Sequence, residues 1–276
     1  MKPNRSRRRD SNEPRRGPSP SGPSSETPAS QMIYGVMPVV EALRAGKRQI
    51  EQITLAEGVR AERLRELLDL ARQARIPIHR VPRNQLSRSS GEPSHQGVIA
   101  RVSSARYADP DELIESLAAR VGSHDAPLAL GLDGVEDPRN LGAILRTAEC
   151  AGVNGVFIPE RRAVGLNETV AKAAAGALEY VPVARVTNLV RLIEQLKERN
   201  IWVVGADAEA KTNYTEWDWT QATMLLLGSE GAGLHRLVRE NCDSLVRIPV
   251  VGQIESLNVS VAAGVLLFEA RRQRAR

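Results

Sequence analysis

Three stretches in the C-terminal half of the sequence gather Gly, Asn, Ser and charged side chains directly behind short apolar runs. The first, "LDGVEDPRNLGAILRTAECAGV" (132–153), turns through Asp133-Gly134 and Pro138 and carries Asn140, Arg146 and Glu149. Asn140 and Arg146 lie six residues apart, nearly two helical turns, and are expected to share a face aimed past the helix start. A capped surface helix bearing an Arg–Glu pair would use the same residues. The second stretch, "LLLGSEGAGL" (225–234), spaces Gly228, Gly231 and Gly233 as G-x-x-G-x-G around Glu230. That is not the dinucleotide pattern, and no phosphate-binding Lys follows it. Glycine lets backbone approach a ligand closely, and Glu230 adds a carboxylate, although plain structural turns share this composition. The third, "IPVVGQIESLNVSVAAGVLLFEA" (248–270), passes Gly252 and enters a helix with Leu257, Val261, Val265 and Phe268 on one face. Ser256 is the expected cap of that helix. Asn258 then falls in its first turn, where its amide can reach a bound ligand or a neighbouring loop.

The elements that must position these loops are legible as apolar runs. "LALGL" (128–132), "GVFIP" (155–159), "IWVVG" (201–205), "TMLLLG" (223–228) and "LVRIP" (245–249) are short and nearly continuous, with helical patterns such as Leu189, Ile193 and Leu196 between them. Strands of that kind alternating with helices indicate a parallel sheet covered on both faces. Ligands of such sheets bind outside the carboxyl ends of the strands, where the three polar loops leave. This α/β unit is assigned to 127–276. A bridge, 107–126, precedes it and starts a helix at Asp109-Pro110.

Residues 31–106 read as a small α/β unit. They contain a helix over 38–45, strands at 52–56, 76–81 and 97–102, and a helix whose Leu64, Leu67, Leu68 and Ala71 share a buried face. The polar stretch "HRVPRNQLSRSSGEPSHQG" (79–97) has no aromatic residue, so any grip on RNA there is through phosphates and shape. Residues 1–30 have no Ile, Leu, Val or aromatic residue and are expected to be a disordered basic tail without the apolar core of a signal peptide. The net charge is +4 over 1–30, +6 over 31–106 and −5 over 107–276. A basic front on an acidic back suggests a polyanion-binding module joined to something else, although a solvated Arg-rich face would look the same. Cys150 and Cys242 lack paired spacing and are expected to be buried free thiols. The four histidines show no metal-ligand spacing, so no metal is expected. No apolar run reaches membrane-spanning length, and no membrane partner is expected.

Taken in order, "DPRNLGAILRTAECAGV", "LLLGSEGAGL" and "IPVVGQIESLNVSVAAGVLLFE" resemble the three signature motifs of the SpoU-type ribose 2′-O-methyltransferases of the SPOUT superfamily. The front resembles that family too: "YGVMPVVEAL" and "HQGVIARV" are similar to the ends of an L30e-like domain preceding the catalytic domain. The resemblance implies a C-terminal trefoil knot that wraps S-adenosylmethionine, and a cytoplasmic homodimer formed through the knot. Carried over residue by residue, it implies that backbone around Gly228, Ile248 and Leu257 holds the cofactor. It also implies that Asn140, Arg146, Glu230, Ser256 and Asn258 are the functional polar positions. The implied substrate is a guanosine ribose in the peptidyl-transferase loop of 23S rRNA; a tRNA guanosine or a resistance-type rRNA target are alternatives within the family.

Methyl transfer from a sulfonium needs no metal, only alignment and help in removing the hydroxyl proton. An Arg is too basic to take that proton readily, so Arg146 is expected to hold a phosphate and stabilise developing alkoxide charge. Glu230 would orient Arg146 or accept the proton. A non-catalytic RNA-binding protein would explain the basic front but not three ordered polar loops. A dehydrogenase would need G-x-G-x-x-G after the first strand, which "LDGVEDPRNLG" lacks.

Overall fold

A computed structural model describes residues 30–90, 95–254 and 256–275. Of the tail read as disordered, residues 1–29 lie outside the described residues, while Ser30 opens a strand.

The front half folds around four strands: β1 (Ser30–Tyr34), β2 (Ile50–Ala56), β3 (Ile78–Val81) and β4 (Val98–Ser103), in the order β1-β4-β2-β3. β4 runs antiparallel to both its neighbours and β2 runs parallel to β3. Helices α1 (Val36–Ala45) and α2 (Ala61–Gln73) cover the sheet. Leu64, Leu67 and Ala71 are buried as their spacing requires, whereas Leu68 is only partly so. Two elements were not read from the sequence: β1, and α3 (Arg83–Ser90) inside the polar stretch. α3 is polar along its length, and Leu86 is the one buried side chain among those described in it, so no periodic apolar signal announces it.

Helix α4 (Pro110–Ala118) follows, capped by Asp109, whose Oδ1 accepts from the Asp111 and Glu112 amides at 2.9 and 3.0 Å. The segment expected as a bridge is also structural, because Leu113, Ile114 and Leu117 of α4 are buried with the second sheet.

That sheet has seven parallel strands: β5 (Leu128–Asp133), β6 (Gly155–Pro159), β7 (Val183–Val186), β8 (Trp202–Ala206), β9 (Thr212–Asn213), β10 (Thr223–Gly228) and β11 (Ser244–Arg247). Their order is β7-β6-β5-β10-β8-β11-β9. Helices α5 (Pro138–Ala151), α6 (Glu168–Ala174) and α9 (Val259–Arg274) pack on one face. The other face carries α4, α7 (Leu189–Lys197) and α8 (Arg236–Glu240). Alternation explains the unbroken apolar runs. Leu128, Leu130, Leu132, Leu225 and Leu227 enter the first core, while Ala129, Met224 and Leu226 enter the second. Side chains of a strand alternate, so a sheet covered twice needs every position apolar. Among the described residues no helix is long and apolar enough to cross a membrane.

Candidate active site

The three polar loops meet at the carboxyl ends of β5, β10 and β11. After β5 the chain turns at Gly134 (φ +84°) and enters α5, where Asp137 caps by accepting from the Arg139 amide at 2.8 Å. Pro138 takes the first helical position, which needs no amide hydrogen. Asn140 follows in the first turn and is buried.

After β10, Ser229 and Gly233 exchange backbone hydrogen bonds at 3.0 Å in both directions, closing a tight turn around Glu230. Gly231 and Gly233 have φ of +85° and +66°, the left-handed region where glycine costs least. Gly228 is demanded by the turn itself: a Cβ there would lie 2.0 Å from the Gly233 carbonyl carbon.

After β11 the chain crosses to α9, and here the structure corrects the sequence reading. The cap of α9 is Asn258, not Ser256. Its Oδ1 accepts from the Ser260 amide at 2.9 Å and the Ser260 hydroxyl at 2.6 Å. Its Nδ2 donates to Asn140 Oδ1 at 3.1 Å and to Glu230 Oε1. Both amide hydrogens and both oxygen lone pairs are thereby used, and a carboxylate partner, which only accepts, fixes which end is nitrogen. One side chain therefore ties all three loops together.

Two adjoining cavities share this knot of contacts. A cleft of about 690 Å³ is lined by Gly228, Ser229, Glu230, Ile248, Ser256, Leu257 and Val259, among others. Its rim carries Arg239, which forms a salt bridge with Asp207 and lies 3.7 Å from Glu209. A cavity of about 350 Å³ is lined by Asn140, Arg162, Ser229, Glu230, His235 and neighbours. Seven of the eight expected site residues thus line these spaces or bridge them.

Arg146 does not. It is exposed on α5 while Asn140 is buried, and it lines neither cavity. Six residues at 100° each leave two helix positions 120° apart, so the expectation of a shared face was geometrically wrong. The thiols differ from expectation as well. Both are free, but Cys150 is exposed. Cys242 packs against the second core, and burial pushes its thiol up to about 12. Sequence reasoning missed the contact between His235 and Asp133, whose atoms meet across 102 residues of chain. Among the described residues no cluster of His, Cys, Asp or Glu is arranged to hold a metal.

The SpoU rRNA Methylase family matches residues 127–268, and a family described as RNA 2′-O ribose methyltransferase substrate binding matches residues 32–108. The chain belongs to the SpoU family and is an RNA 2′-O-methyltransferase. A Pseudomonas aeruginosa relative, the 23S rRNA (guanosine-2′-O-)-methyltransferase RlmB, is 45% identical over 88% of this chain and 97% of its own. YacO of Bacillus subtilis (strain 168), provisionally named a TrmH family tRNA/rRNA methyltransferase, is 44% identical over 88% of this chain and 95% of its own. Among solved structures, the SpoU methyltransferase AviRb from Streptomyces viridochromogenes in complex with AdoMet matches with a TM-score of 0.72 and 27% identity. That match covers 89% of this chain and 91% of AviRb.

Proposed function

We propose that this protein transfers a methyl group from S-adenosylmethionine to the ribose 2′-hydroxyl of a guanosine in 23S rRNA, acting as a cytoplasmic homodimer. The observation that carries the reading is Asn258, whose amide joins Asn140 and Glu230 where the two cavities adjoin. The larger cleft suits the cofactor in size and chemistry. Leu227, Ile248, Leu257 and Val259 offer an apolar slot, and the backbone at Gly228–Gly233 offers amides and carbonyls to a flat, polar-edged base. The smaller cavity then takes the ribose. The relatives' names support an RNA substrate and, for RlmB of Pseudomonas aeruginosa, a guanosine of 23S rRNA.

S-adenosylmethionine supplies a methyl group on a sulfonium, an electrophile that reacts with a correctly placed oxygen. This chain supplies the placement. Asn140, with Oδ1 engaged by Asn258, keeps Nδ2 to donate into the smaller cavity. Glu230, held by Asn258, sets a negative charge at the boundary of the two spaces. Fixing reactants in line supplies up to about 7–11 kcal/mol of the barrier reduction.

Arg146, remote from its own cleft, serves the cleft of a second subunit, where it holds phosphate and stabilises alkoxide charge. The outer face of α9 supports such a dimer. Val261 and Phe268 are each 51% exposed there, and Ile254 and Leu257 continue the apolar surface. In this reading the knot implied by the family resemblance forms both the cofactor wall and the dimer face. The 31–106 unit carries RNA; its Arg80, Arg83 and Arg88 are exposed around β3 and α3. The 127–276 unit carries the chemistry, 107–126 connects them, and the basic tail 1–30 adds non-specific attraction.

The test is transfer of labelled methyl to unmodified 23S rRNA and to bulk tRNA, followed by nucleoside analysis. Label as 2′-O-methylguanosine in 23S rRNA alone is the expected result. Label confined to tRNA overturns the substrate, and label in neither overturns the reading.

A further inference from the structure

Asp133 ends β5 with its side chain only 7% exposed, and both of its oxygens serve one residue. Oδ2 accepts from the His235 backbone amide at 2.7 Å, and Oδ1 lies 2.8 Å from His235 Nδ1. The backbone contact alone would tie the β10–α8 loop to β5. The second contact does something else: it fixes the ring. A carboxylate against Nδ1 holds the hydrogen there and leaves Nε2 with a bare lone pair. The ring is half-exposed and lines the smaller cavity beside Asn140 and Glu230. Nε2 makes no hydrogen bond to any described residue.

We propose that His235 is the catalytic residue that accepts the 2′-hydroxyl proton, with Asp133 as its positioning residue; this rests on the methyl-transfer reading above. The ribose O–H bond breaks and its proton goes to Nε2. The oxygen's electron pair forms the new O–CH₃ bond, and the pair of the old C–S bond stays on sulfur, which becomes a neutral thioether. The imidazolium is then balanced by Asp133 and later returns its proton to water. Other groups at the centre fit the task less well. A guanidinium stays protonated and cannot accept, and a carboxylate such as Glu230, which also holds Asn258, is as a class a weaker base than imidazole. The charged groups around the ring are Asp133 itself at the end of β5 and, on the wall of the same cavity, Glu136 and Asp137 before α5, Arg162 after β6 and Glu230 after β10. On the wall of the smaller cavity three carboxylates accompany one guanidinium.

The experiment uses the full-length protein, S-adenosylmethionine and 23S rRNA, with His235→Gln and Asp133→Asn. His235 is half-exposed, so its replacement keeps the fold. The expected result for His235→Gln is a kcat lowered by about 10²–10³-fold, with cofactor and RNA affinities within about twofold of wild type. The acidic limb of the wild-type pH–rate profile should vanish in that variant. Asp133→Asn has a readout independent of turnover: ¹⁵N NMR of the imidazole should change from a single Nδ1–H tautomer to a mixture. Two results overturn the proposal. One is a His235→Gln enzyme within about threefold of wild-type kcat with its acidic limb intact; the other is a wild-type imidazole carrying its hydrogen on Nε2. If the wild-type protein itself transfers no methyl while binding RNA, the underlying reading fails, which is a different outcome.

Discussion

At the residue scale, Asn258 combines two jobs that the sequence suggested for two residues. Its oxygen caps α9 and its nitrogen holds Asn140 and Glu230. The two jobs can be separated by substitution. Asn258→Ser keeps a capping oxygen, so stability should stay within a few tenths of a kcal/mol, whereas Asn258→Ala should lose about 1 kcal/mol. Both remove the amide donor, and both should lower kcat by about 10²-fold or more, the usual loss when a preorganised donor disappears. Thermal unfolding beside single-turnover methyl transfer checks this pair. A serine variant with full activity would reduce Asn258 to a cap. The motif residues around these loops were legible because Gly, Asn and Glu stand out against apolar strands. Spacing alone does not put Arg146 beside Asn140, since six residues at 100° each leave them 120° apart, and His235 is not legible because it sits at the start of α8 while its partner Asp133 ends β5, 102 residues away.

At the scale of elements, α9 is fixed at both ends. Asn258 holds its start, and Arg274 near its end donates to the carbonyls of Trp219, Ala126, Pro127 and Gln221. These acceptors lie just before β5 and β10, so the last turn of the chain clamps the amino edge of the very strands whose carboxyl edge forms the site. Arg274→Met should cost about 3 kcal/mol, from several hydrogen bonds to a charge and carbonyls left unpaired. Chemical denaturation measures it, and kcat at low temperature should be unaffected because the clamp is remote from the loops. A loss below about 0.5 kcal/mol would show the clamp to be incidental.

Most strands of the larger sheet could be read from their apolar runs. β7 and β9 could not: "VARV" carries an exposed Arg185, and β9 is two residues long at the sheet edge. Strand order was not readable either, since side-chain alternation records how many faces are covered and not which strand lies beside which.

At the scale of the whole molecule, the two sheets meet over α6 and the turn Ala177–Glu179. Glu168 accepts from the Met32 amide, and Tyr180 donates to Glu41 at 2.5 Å. Between them lies a buried pair, Arg48 and Glu179, 3.3 Å apart with side chains 7% and 3% exposed. Burial pushes the Glu179 carboxyl above its ordinary range and pulls the Arg48 guanidinium below its own. A raised carboxyl means that the folded protein holds a proton that the unfolded chain has released. This group's contribution is therefore most favourable below the unfolded value and is lost as pH rises through the folded one. Removing one partner strands a buried charge. Arg48→Met should cost about 3–5 kcal/mol, and the double variant Arg48→Met/Glu179→Gln should recover most of it. Denaturant titrations of wild type, Arg48→Met, Glu179→Gln and the double variant measure this coupling, and additive losses would contradict it. Nothing in the sequence marked this pair, because its members belong to segments that meet only after both sheets have formed.

The central claim is that Asn140, Glu230 and Asn258 of one subunit form a centre completed by Arg146 of another. Mixing subunits tests it directly. Arg146→Ala and Asn258→Ala proteins, each inactive alone, are denatured together, refolded as a mixture and assayed for methyl transfer to 23S rRNA. Random pairing makes half of the dimers mixed, and each mixed dimer holds one intact centre. About a quarter of wild-type activity should return. A mixture as inactive as its components, despite measured subunit exchange, would mean that Arg146 serves its own chain, and the account of the site would be wrong.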